Sequence, residues 1–126
     1  RLFGEGPISV SDNDYDIGIF PHYSISELRE LTVDLFYNSC SFSEMDEKSS
    51  TEYLSVINKC CRKYFMHDNH DKTFIFKNNN GTKSKNIIGS DLVPDKSKFK
   101  RIYKKPRVHG LPDDNYIHHE FLYERI

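Results

Sequence analysis

Three stretches of this chain carry residue types whose spacing suits chemistry. The most conspicuous is Lys96-Ser97-Lys98-Phe99-Lys100-Arg101-Ile102-Tyr103-Lys104-Lys105-Pro106-Arg107, with seven basic residues in twelve and no acid. Lys and Arg neutralise phosphate backbones with release of counterions, and aromatic rings stack on unpaired bases. That chemistry assigns Lys98, Lys100, Arg101, Lys104, Lys105 and Arg107 to phosphates, and Phe99 and Tyr103 to stacking. The partner would be RNA or a ribonucleoprotein surface. Two other uses compete. The stretch could be an edge strand with Phe99, Tyr103 or Ile102 facing a core and lysines guarding the edge against aggregation. It could also contact an acidic protein.

The second stretch is His67-Asp68-Asn69-His70-Asp71. Imidazoles and carboxylates this close could hold a divalent ion, with His67, Asp68 and His70 as ligands. Cys60 and Cys61 lie upstream, but adjacent cysteines lack the two-to-four-residue gap of a zinc finger. The plainer reading is a polar loop. The third stretch is His118-His119-Glu120, with His109 upstream. On a strand, His118 and Glu120 share a face, and a buried His–Glu pair can do general acid–base work. The plainer reading is a pair of exposed histidines.

Phosphate-loop, dinucleotide, nucleophile-elbow and zinc-protease motifs are all absent from the sequence. Six glycines are few for a loop that cradles phosphates. The expectation is therefore a non-catalytic binding module with no cofactor and no metal. A protein–protein adaptor using an aromatic patch or sheet edge is the alternative. A small metal-dependent hydrolase or nuclease, built on His67, Asp68 and His70 with His118 and Glu120, is the second alternative.

Charge layout supports a binding role. Net charge is −1, yet residues 1–50 hold three Lys/Arg against ten Asp/Glu, while residues 59–107 hold fourteen against four. Such asymmetry either marks a polyanionic partner for the middle segment or neutralises itself on folding. Apolar residues are 37% and charged residues 29%, with no apolar run of the ~18 residues that a spanning helix needs. The expectation is a chain with no membrane contact. Three cysteines, an odd number, fit a disulfide framework poorly, and Arg1 to Val10 shows no long apolar run of secretory type. An intracellular, cytoplasmic setting follows. Ala, Gln and Trp are absent, and 51 residues are Phe, Tyr, Met, Ile, Asn or Lys. That bias suits an AT-rich genome of viral or parasite kind.

The elements that must position these groups are read from periodicity. Ile17, Ile19 and Phe20 suggest a short strand ended by Pro21. Ser24 and Glu27 have capping-box spacing, and Leu28, Leu31 and Leu35 repeat at helical intervals, predicting a helix over 25–38. Ser49 and Glu52 repeat the capping pattern before Tyr53, Leu54, Ile57, Cys60, Cys61, Tyr64 and Phe65, predicting a second helix over 50–66. Asn78-Asn79-Asn80-Gly81 predicts a turn inside a hairpin over 73–88. Over Tyr116 to Ile126, the alternation of Ile117, Phe121 and Tyr123 suits a strand, and Asp113 or Asp114 could equally cap a short helix.

The expected fold is a single α+β domain over 1–126. Two antiparallel amphipathic helices pack on a small, mostly antiparallel sheet that contains the 73–88 hairpin. A basic arm or edge strand occupies about 96–107. The expected core is Ile17, Ile19, Leu28, Leu31, Leu35, Phe36, Leu54, Ile57, Cys61, Phe65, Phe74, Phe76 and Phe121.

Overall fold

The structure, a computed structural model, describes residues 22–107 and 118–126. Its strands are β1 (Val33–Ser39), β2 (Cys61–His70), β3 (Ile75–Lys77), β4 (Lys83–Lys85), β5 (Phe99–Pro106) and β6 (His118–Arg125). One helix, α1 (Glu47–Cys60), lies between the first two, and short 3-10 turns form at His22–Glu27, Phe42–Glu44 and Gly89–Asp91. The described residues are thus mostly β, which overturns the expected pair of helices on a sheet.

The main sheet runs β1-β2-β6-β5. β1 and β2 are parallel, from Val33 opposite Cys61 to Ser39 opposite Asp68. A parallel pair cannot be closed by a tight turn, and α1 supplies the crossover. Asp46 starts that helix: its carboxylate accepts from the Ser49 amide at 2.9 Å, satisfying a donor the first turn leaves unpaired. Leu54 and Ile57 then press on the sheet beside Phe42, Phe65, Leu92, Phe99, Phe121 and Tyr123. β6 pairs antiparallel with both β2 and β5, and among the described residues β5 is an edge.

The helix expected over 25–38 is instead a 3-10 turn followed by β1. Leu31 adopts φ 51°, a left-handed conformation that interrupts a right-handed helix. The leucine stripe is not buried: Leu31 is 46% exposed and Leu35 53%. Phe36 is the residue of this segment that packs on the core, opposite Phe65 of the neighbouring strand. Val33, Phe36 and Tyr37 suit a pleated surface, and parallel pairing outweighs the helical spacing of the leucines.

The second helix starts earlier and stops earlier than its stripe suggests, because Cys61 onward joins β2. The polar run His67–His70, read from sequence as a loop, is the second half of that central strand. Asn69 within it is satisfied internally. The Asn69 carbonyl oxygen accepts from the Ser43 amide at 3.0 Å, and its amide nitrogen donates to the Asn38 side-chain oxygen at 3.1 Å. These bonds tie the central strand to the start of the crossover.

The 73–88 hairpin forms around Gly81, at φ 80°, but is shorter and stands as its own two-stranded sheet. Phe74 and Phe76 are half-buried rather than core, and Leu28 is also half-buried. Phe42, Leu92, Phe99 and Tyr123 take their place in the core. Ile17, Ile19, Phe20 and His109 lie outside the described residues.

Candidate interaction surface

Strand alternation divides the candidate residues between two faces of one sheet. On the covered face His67 is fully buried, its ring 4.6 Å from that of Phe121 and 5.2 Å from that of Phe65. Burial pushes its pKa down to about 4, and the Leu92 backbone and the carboxylates of Asp68 and Asp71 reverse only part of that. His67 is a neutral core histidine at ordinary pH. Asp68 points to the opposite face, so the two neighbours do not converge on one site. His70 approaches Glu44 at 3.4 Å and lies against His118, ring centroids 3.6 Å apart. Among the described residues no group of three or more His, Cys, Asp or Glu is arranged to hold a metal ion.

On the other face Asp68 is the centre of a polar cluster that sequence reasoning did not foresee. Tyr37 donates to it at 2.6 Å, Ser39 at 3.1 Å and the Cys40 thiol at 3.2 Å. Arg107 reaches Asp68 at 3.4 Å and the Cys40 sulfur at 3.0 Å. Burial pushes the Asp68 carboxyl up, but these donors outweigh it and hold the group below the usual carboxylate range. Cys40 sits at φ 58°, and its amide donates to the Asp68 carbonyl at 2.7 Å. The members of this cluster come from β1, β2 and the end of β5, and no spacing in the sequence announces them.

Glu120 lies next along the same face. It accepts from Tyr103 at 2.6 Å and from Lys105 at 2.8 Å. The Lys105 contact, then the Tyr103 hydrogen bond, holds the Glu120 carboxyl below its ordinary value. The same bond pushes the Tyr103 hydroxyl up to about 12. Glu120 is therefore a charged acceptor between two donors, not half of a His–Glu acid–base pair. On the covered face Lys104 pairs with Asp71, which also accepts from the Ser90 amide at 2.7 Å.

The eight residues read from sequence as a nucleic-acid contact therefore have distinct fates. Phe99 is in the core, 4% exposed, and cannot stack on a base. Tyr103 is half-buried with its hydroxyl tied and Lys105 over its ring at 4.9 Å. Lys98, Lys104, Lys105 and Arg107 each meet a carboxylate: Asp95, Asp71, Glu120 and Asp68. Lys100 and Arg101 are exposed and form no ion pair among the described residues. What the segment does present, among the described residues, is an unpaired backbone edge of β5, eight residues long.

Comparison with protein-family models, curated proteins and solved structures finds no match.

Proposed function

We propose that this chain is a non-catalytic binding module whose partner is a protein, docked at the β5 edge of the main sheet. The observation that carries this reading is the place of the basic segment. It forms a sheet edge, with Phe99 turned inward and Tyr103 bound to Glu120. Within the basic segment, stacking on unpaired bases has lost Phe99 to the core, and Tyr103 is half-buried under Lys105. Backbone donors and acceptors along the edge have gained an opening toward solvent. Exposed ion pairs such as Lys98–Asp95 contribute at most ~1 kcal/mol each, so a partner can replace them at little cost.

The test is fluorescence anisotropy against three labelled probes: a nine-residue peptide alternating Glu and Val, a structured RNA and an unpaired RNA. Each is titrated from about 50 to 200 mM salt. The expected result is saturable peptide binding, with neither RNA binding more tightly at any salt concentration. RNA binding tighter than peptide binding and falling steeply with salt overturns the protein reading in favour of phosphate recognition.

A further inference from the structure

The geometry points to a specific occupant of that edge: an extended, acidic segment of the partner that adds to the sheet as a fifth strand beside β5. The inference rests on the docking role proposed above and gives it a chemistry.

The first support is topology. β5 is hydrogen-bonded to β6 along one side only, and among the described residues no strand lies on its other side. A strand left this way presents a row of unpaired N–H and C=O groups, the template on which extended peptides add. The opposite edge, β1, is less suited. It offers no cation to an acidic segment: its one charged residue, Asp34, is an acid held by Arg62 at 2.6 Å and Lys63 at 3.3 Å.

The second support is charge. Register places Lys100 opposite Glu124 and Lys105 opposite Glu120 on one face, and Arg101 opposite Tyr123 and Lys104 opposite Phe121 on the other. Lys104 and Lys105 already meet Asp71 and Glu120, so Lys100 and Arg101 supply one cation on each face of a strand laid beside the edge. Acidic side chains on either face of an added strand meet a Lys or Arg, because side chains alternate between faces. The same charge disfavours a second copy of β5, since two such edges would set basic residues against one another. The irregularity between Arg101 and Tyr103 and the proline at 106 limit indiscriminate pairing. They leave residues 99–101 and 103–105 in regular register.

The test uses the full chain and three nine-residue peptides. One alternates Glu and Val; one has the same sequence with every backbone nitrogen methylated; one carries Lys in place of Glu. Methylation keeps charge and apolar content and removes the donors that strand addition needs. The expected result is saturable binding of the first peptide, weakened about tenfold or more by methylation and abolished with Lys. Amide signals of residues 100–105 should shift and gain exchange protection on binding. Lys100→Glu combined with Arg101→Glu should weaken binding about tenfold at low salt, with the melting temperature of the free protein checked alongside. Equal binding of methylated and unmethylated peptides overturns strand addition while leaving protein docking in place. Failure of all peptides beside tight RNA binding overturns both.

Discussion

The two faces of the main sheet are built from alternate residues of the same strands and live by different physics. Phe65 and Tyr64 are chain neighbours, yet the first is fully buried and the second 38% exposed. On the covered face Phe65, Phe121 and Tyr123 meet Leu54 and Ile57 of the helix, and stability comes from area removed from water. On the other face Leu35 and Tyr37 are more than half exposed. Order there comes from hydrogen bonds and ion pairs around the buried Asp68 and the half-buried Glu120 rather than from apolar area. The covered face therefore holds the fold, while the open face and its β5 edge combine the buried Asp68 cluster with exposed side chains such as Leu35, Tyr37, Lys100 and Arg101 that a partner can reach.

The strongest way to break this comparison is a matched truncation. Phe121→Ala on the covered face should cost about 3–5 kcal/mol, read as a fall in the urea midpoint. A loss below ~1 kcal/mol would mean that the face is not a close-packed core.

Acid should act next, and through the covered face first. An unfolded imidazole takes a proton near pH 6.5, whereas folded His67 takes one only near pH 4. Between those values the unfolded chain binds more protons, so stability falls as pH drops through that window and no penalty remains above it. The expected loss is about 2 kcal/mol between pH 7 and 5, and His67→Phe should flatten that slope. Asp68, Asp71 and Glu120 have lowered pKa values in the fold, so their contribution is present above the ordinary carboxylate range and is lost only as pH falls below it. An unchanged pH slope in the His67 variant would move the acid sensitivity to the open face.

The smallest effect belongs to the open face. Leu35→Ser should change stability by no more than about 0.5 kcal/mol, measured by thermal unfolding. A larger loss would show that this face is covered and is no free surface.

Much of the middle of the chain is legible in its residue spacing. The stripe of Leu54, Ile57 and Cys60 marks α1, the Asn-Gly turn marks the hairpin, and alternation in the tail marks β6. Leu28, Leu31 and Leu35 mislead because intervals of three and four also arise by chance in a turn that runs into a strand, and only burial distinguishes them. The His-Asp-Asn-His run misleads because a polar stretch resembles a loop unless distant partners satisfy it. Asn38 and Ser43 satisfy Asn69, while Tyr37, Ser39, Cys40 and Arg107 satisfy Asp68.

By itself the sequence determined what is local: the charge of the 96–107 segment, the helical stripe of the crossover and the turn at Gly81. These depend on spacing and backbone preference over a few residues. Tertiary structure alone decided that β1 pairs parallel with β2, that Phe99 turns into the core, and that five of the seven cations in the 96–107 segment meet carboxylates. Those outcomes bring together groups as far apart as Cys40 and Arg107. Chain neighbours carry no trace of such pairings, because the closing contacts exist only once the sheet has formed.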